Sequence, residues 1–301
     1  MEFAQLTPGR GFMPAKSVLY YSQRMVIQRA LRESIASSLA TLIRLRYGPT
    51  GLNQPWPQND GVLADLRRDG FVSLDPLLDR QQIADIESYL ADRRLFARRP
   101  DGSRQTFELA ERPGTVTMAD YQLDDIVAAP HILAVANSPF LLGLAERYIG
   151  CKPTLSALVL RWSFPGEGQS HGLQAFHRDS DDWRHLKVFV YLTEVDESAG
   201  PHVYVKRTHR ARVSLRAQAY DEADIARQFP PEARVAVTGM PGASFACDTA
   251  GIHKGAMPTA KPRLMLQIQY SLLPCHMYRY RPRPYHGPLK IDPYINRLLL
   301  T

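Results

Sequence analysis

Apolar positions in the first half of the chain recur at helical spacing, whereas in the second half they alternate. Ile27, Leu31, Ile35, Leu39 and Leu42 fall on one face, which predicts a helix over residues 24–46. Arg24, Arg29, Arg32, Arg44 and Arg46 surround that stripe, with Glu33 its single acid. The breaker-rich stretch from Gly48 to Pro57 reads as a linker. Beyond it, residues 63–71 and 81–95 are expected to be helical, separated by the short apolar run 71–74, and Asp79 is placed to cap the second helix. Residues 129–149 supply more helix. Near residue 153 the character changes to short runs rich in β-branched and aromatic residues, bounded by Gly and Pro: 155–164, 186–192, 202–205, 234–237, 244–247 and 263–272. Helices followed by strands at this cadence define an α+β chain with a sandwich or jelly roll in its second half.

Four regions follow: a basic amphipathic extension (1–58), a mainly helical support region (59–152), a β core (153–275) and a basic aromatic tail (276–301). The length of 301 residues is enough to bury a sizeable core, and the balance of 45% hydrophobic to 22% charged residues is that of a globular protein. Cys151, Cys247 and Cys275 are odd in number and lack metal-type spacing, which points to reduced thiols in a cytoplasmic protein. No continuous apolar run suits a signal peptide or approaches the roughly 20 residues that span a bilayer. Charge is unevenly placed. Residues 1–50 carry seven Lys/Arg against two acids and residues 274–301 five against one, so with a total of +7 the long middle is slightly acidic. An anionic partner met by the two ends is one reading, and a solvated basic periphery is the other.

The chemistry concentrates in the acidic middle. His177-Arg178-Asp179 places an imidazole and a carboxylate two residues apart, on one side of a strand and about 6.6 Å along it. His253 follows a turn-like approach, Asp248-Thr249-Ala250-Gly251, and Arg263 opens an apolar run. Two imidazoles and one carboxylate are what a non-heme Fe(II) oxygenase uses to hold iron on one face with the other face open. A guanidinium nearby suits the far carboxylate of 2-oxoglutarate. Taken alone, His177 and Asp179 also read as a simple surface pair. Lys187, Phe189, Tyr191 and Thr193 share one strand face, so Lys187 and Tyr191 are candidate contacts to co-substrate or substrate if that face lines a barrel. Gln174, three residues before the first histidine, is a further candidate for the co-substrate. Asp181 and Asp182 read as loop-capping and lid residues and not as extra ligands, since a crowded carboxylate set would favour harder ions.

The run from Phe176 through Thr193 to Gly200-Pro201, with the later His253-Lys254-Gly255 and Lys261-Pro262-Arg263, resembles the phytanoyl-CoA dioxygenase family over about residues 60–275. The resemblance implies a double-stranded β-helix with Fe(II) on His177, Asp179 and His253, and with Arg263 on 2-oxoglutarate. It also implies dioxygen as the other co-substrate. Lys206-Arg207-Thr208-His209 departs from the Gly-Ser-His that relatives tend to carry, and His209 reads as a packed residue and not a ligand. Asp179 occupies the position a halide would need, which favours hydroxylation over halogenation.

For the substrate only the ends speak. The basic helix and the tail from Tyr278 to Tyr285 combine cations with amphipathic rings, as at a lipid headgroup boundary. The expectation is a small-molecule or lipid-linked glycan substrate, such as an acidic sugar of lipopolysaccharide, reached from the inner face of a membrane. The apolar stripe fits an anionic membrane surface, its own domain, or a second subunit in a homo-oligomer. Nucleic acid is not expected, since the β region carries no recognisable module for it. The competing classes are a non-enzymatic, metal-containing jelly-roll module that binds sugar, and a metal hydrolase built on the same ligands.

Overall fold

The computed structural model describes residues 2–51, 60–98, 103–166, 172–211 and 219–301. In chain order the elements are β1 (Glu2–Phe3), α1 (Pro14–Met25), α2 (Arg29–Tyr47), α3 (Asp60–Asp69), β2 (Phe71–Leu74), α4 (Arg80–Leu90), β3 (Leu95–Arg98), β4 (Arg104–Phe107), β5 (Met118–Tyr121), α5 (Leu123–Ala128), α6 (Ile132–Ala136) and α7 (Pro139–Ile149). The β half then holds β6 (Thr154–Ser163), β7 (His185–Tyr191), β8 (His202–Val205), α8 (Glu222–Gln228), β9 (Arg234–Val237), β10 (Ser244–Cys247), β11 (His253–Gly255), β12 (Arg263–Ser271), β13 (Tyr278–Arg279) and α9 (Pro293–Asn296).

An antiparallel eight-stranded sheet, ordered β2-β10-β7-β12-β6-β5-β3-β4, faces a smaller sheet ordered β11-β8-β9. Period-two alternation decides what each face does. On β7, Leu186, Val188 and Val190 enter a core shared with the helices, as do Leu264, Leu266 and Ile268 of β12. The opposite face sends Phe189, Tyr191 and Met265 into a second core, where they meet Tyr204 of β8 and Phe245 of β10. That second core is the space between the two sheets, so the architecture is the expected α+β fold with a double-stranded β-helix.

Several element boundaries differ from the sequence reading. The helix expected over 24–46 is two helices, α1 and α2, with Val26–Gln28 between them. The cause is Arg32, 4% exposed, whose Nη1 bonds the carbonyls of Gln23 and Val26 at the end of α1 and whose Nη2 bonds Asp182 O at 3.2 Å. Carbonyls left over at a helix end need such partners, and Arg32 supplies them from the next helix. The buried line on α2 is Arg32, Ala36 and Ala40, while Leu31 and Leu42 of the expected stripe are 48% and 63% exposed. Helix α4 stops at Leu90, and Leu95 begins a strand. Residues 129–149 form two helices, the second opened by the Ser138 cap and Pro139. The Asp79 cap is present as a reciprocal capping box with Gln82. Of the expected linker, residues 52–57 lie outside the described residues. Among the described residues no helix is long and apolar enough to cross a membrane.

Candidate active site

His177 and His253 face each other across a short antiparallel bridge that extends the smaller sheet. Their backbones exchange both hydrogen bonds, at 2.9 and 3.0 Å, and Asp179 N bonds Thr249 O at 2.8 Å. Main-chain pairing therefore brings together residues far apart in the sequence before any metal is considered. Each imidazole is also oriented. His177 Nδ1 lies 2.8 Å from Ala175 O and His253 Nδ1 lies 3.0 Å from Gly251 O. Those carbonyls place the proton on Nδ1 and leave both Nε2 lone pairs free, the tautomer a metal ligand needs. Both Nε2 atoms point at Asp179, 3.6 Å from Oδ1 for His177 and 3.5 Å from Oδ2 for His253. One atom from each of the three residues lies within 4.8 Å of the others, so the set is able to hold one ion.

Electrostatics agree with that use. Burial and the neighbouring His177 push His253 down to about 3, so its imidazole is neutral near pH 7. Burial opposes the ionisation of Asp179, yet Lys187, His253 and His177 outweigh it and hold the carboxyl well below its usual range. Lys187 Nζ lies 2.5 Å from Asp179 Oδ2 and 3.1 Å from Asp181 Oδ2. Burial lowers the ammonium's pKa, but these two carboxylates raise it further and keep it charged.

A cavity of about 280 Å³ opens beside the triad. Its wall is the inward face of three neighbouring strands: Val159 and Arg161 of β6, Lys187 of β7, and Arg263, Gln267 and Gln269 of β12. The two arginines differ sharply. Arg161 is neutralised by a two-pronged pair with Asp120, at 2.6 and 2.9 Å. Arg263 is 3% exposed, donates Nη2 to Ser163 Oγ at 3.3 Å, and has Nε and Nη1 without a hydrogen-bond partner. The Tyr191 hydroxyl also reaches it. A buried guanidinium in this condition is costly unless an anion enters beside it. Gly255 makes room for it, since a Cβ there would stand 3.0 Å from Nη2.

The remaining candidates are placed as follows. Tyr191 does not line the cavity; its hydroxyl donates to Val237 O and accepts from His202 N, so it acts behind Arg263. Gln174 is buried with Nε2 unpartnered, and its neighbour Leu173 is the one that lines the cavity. Asp182 caps as expected, accepting from Trp183 N at 2.7 Å and Leu273 N at 2.6 Å. His209 is buried with Nε2 on Arg67 O and stands outside the metal set. Sequence reasoning missed Gln267 and Gln269, although their two-residue spacing from Met265 and Arg263 signals one face of β12. It also missed Phe3, Met277 and Tyr278, which line the cavity from the two ends of the chain. Those ends meet because β1 pairs with β13, stacking Phe3 on Tyr278 at 5.4 Å. No local pattern announces such a pairing.

No protein-family model and no curated protein matches the sequence. Solved structures do match. The epimerase SnoN in complex with Fe3+, alpha ketoglutarate and nogalamycin RO is 20% identical, with a TM-score of 0.51, covering 70% of this chain and 82% of that one. The alpha ketoglutarate-dependent carbocyclase SnoK is 19% identical, with a TM-score of 0.50, covering 74% and 86%. HygX from Streptomyces hygroscopicus, with nickel, 2-oxoglutarate and hygromycin B bound, is 15% identical, with a TM-score of 0.50, covering 77% and 96%. At these identities the likeness is one of fold.

Proposed function

We propose that the protein is an Fe(II)- and 2-oxoglutarate-dependent dioxygenase that hydroxylates an unactivated C–H bond, as the resemblance to the phytanoyl-CoA dioxygenase family implies. One observation carries the reading: a His177, Asp179 and His253 set with free Nε2 lone pairs shares a cavity with a buried arginine whose Nε and Nη1 have no hydrogen-bond partner. His177, Asp179 and His253 would hold the iron, and Arg263 would take the far carboxylate of 2-oxoglutarate. When bound, iron and keto acid supply an oxidation by dioxygen that releases succinate and carbon dioxide. The chain's own share is positional. Carbonyls of Ala175 and Gly251 fix the imidazoles, Lys187 balances the Asp179 charge, and Phe3, Met277 and Tyr278 line the cavity from the two ends of the chain. SnoN and HygX, solved with metal and keto acid, support the same pairing of cofactors here.

For the substrate, an anionic, membrane-associated small molecule such as a lipid-linked acidic sugar is the reading supported by the surface. Leu42 and Leu45 of α2 are 63% and 79% exposed and lie beside Arg44 and Arg46.

The test is turnover. With Fe(II), 2-oxoglutarate and oxygen the protein should release succinate slowly even without substrate, and His177→Ala should abolish that release. Succinate release that persists in this variant removes the assignment. Zinc-supported, oxygen-independent cleavage would instead reveal a hydrolase, and sugar binding without turnover a binding module.

A further inference from the structure

A second cavity, of about 400 Å³, lies where α2, α3, α7, the entry to β7 and the turn after β8 come together. It shares no lining residue with the cavity beside the triad. Arg29, Arg67, Arg184 and Arg210 line it, with Glu33 as the lone acid on its wall. That carboxylate is divided between two of the cations, with Arg29 Nη2 at 2.6 Å and Arg184 Nη2 at 2.5 Å. Arg67 and Arg210 have only main-chain partners among the described residues: Arg67 Nη2 donates to Arg147 O at 2.8 Å, and Arg210 Nη2 to Arg67 O at 2.5 Å. Tyr148 fills part of the wall with its hydroxyl committed to the buried Asp248, at 2.6 Å. Even with Asp248 counted, cations outnumber acids two to one. The sequence between Arg210 and Asp221 contains no further acid.

Guanidinium does not lose its proton in a protein, so this charge cannot be relieved by titration. Four like charges brought to one hollow from separate elements repel one another, and a bound anion is what turns the repulsion into attraction. The forked donors match tetrahedral oxyanions, and the volume suits a small ligand and not a lone ion. We propose that this cavity binds a phosphate group carried on a small molecule or a lipid headgroup, held among Arg29, Arg67, Arg184 and Arg210. None of these side chains lines the cavity that holds Arg263, while Arg29 and Arg184 also border a small hollow that reaches Asp179.

Isothermal titration of the full chain with inorganic pyrophosphate at physiological salt tests it, alongside flotation with vesicles containing phosphatidic acid. Saturable pyrophosphate binding identifies a soluble phosphate ligand, and binding to the vesicles alone identifies a headgroup. In either arm, the Arg67→Ala/Arg210→Ala variant should bind at least about tenfold more weakly, because each charge-assisted contact is among the strong ones. Glu33→Gln should bind more tightly, since it frees Arg29 and Arg184 from their internal carboxylate. Melting temperatures establish that the variants are folded. Binding in neither arm overturns the proposal. So does equal binding by the double arginine variant, or weaker binding by folded Glu33→Gln.

Discussion

A guanidinium that is 3% exposed with two nitrogens unpartnered is costly to bury unless an anion stands beside it. Arg161, in the same cavity, shows the alternative, since Asp120 already neutralises it. The contrast makes Arg263 testable by chemistry of the head group. Arg263→Lys keeps the charge and loses the fork, so the KM for 2-oxoglutarate should rise about tenfold. Arg263→Ala loses both, and kcat/KM for the keto acid should fall roughly a hundredfold or more, while iron affinity measured by titration stays unchanged. Parallel loss of iron binding would show that Arg263 shapes the metal set instead. The buried imidazoles give a second prediction. Burial pushes His253 down to about 3 and His202 well below its ordinary range, so both are neutral in the metal-free fold. The unfolded chain protonates near pH 6.5 and therefore binds more protons below it. Stability falls as pH drops from about 6.5 towards 3. Thermal melts of metal-free protein should show that decline. His202→Phe, which preserves packing against Phe189 and Phe245, should flatten it; an unchanged slope in the variant would contradict the assignment.

At the level of elements, the legible parts were those in which the deciding interaction is local or periodic. Alternation along 186–192 separated the cavity face from the helix face of β7 because a strand has only two faces. His177, Asp179 and His253, which the fold brings within 4.8 Å of one another, stood out because metal chemistry restricts residue type, and Arg263 because a charge rarely opens an apolar strand. Strands β3 and β5 were not, since each is four residues long and owes its existence to pairing, β5 with β6 and β3 with β5. The break between α1 and α2 was equally hidden. Its cause is the bond from Arg32 Nη2 to Asp182 O across 150 residues of chain, together with stacking of Arg32 over Trp183 at 5.0 Å. Arg32→Ala leaves three carbonyls without a donor, at a cost of about 3 kcal/mol. For a chain of 301 residues that lowers the melting temperature by roughly 5 °C. Limited proteolysis should then cut first between α1 and α2. A variant that melts like the wild type and resists cleavage there would show that the helices are held by their apolar contacts alone.

Across the whole molecule, the two basic ends are joined. Strand β1 pairs with β13, Lys16 donates to Tyr278 O, and Arg281 pairs with Glu2 at 3.3 Å. These contacts hold the two termini together where Phe3 and Tyr278 line the cavity. Both N-terminal helices carry exposed apolar residues: Val18, Leu19 and Met25 on α1, and Leu31, Leu42 and Leu45 on α2. Apolar side chains that project between arginines suit a surface that is oily below and anionic above. Leu42 and Leu45, being 63% and 79% exposed, are replaceable without disturbing the core. Leu42→Ser/Leu45→Ser should keep the wild-type melting temperature and the basal release of succinate, yet recover several-fold less protein with floated vesicles rich in anionic phospholipid. High salt should weaken the wild-type binding without abolishing it, because the buried apolar term is not screened. If the double variant floats as well as the wild type, the leucines do not touch lipid. Sedimentation equilibrium then decides between a monomer and a second copy of the chain as the cover for that face.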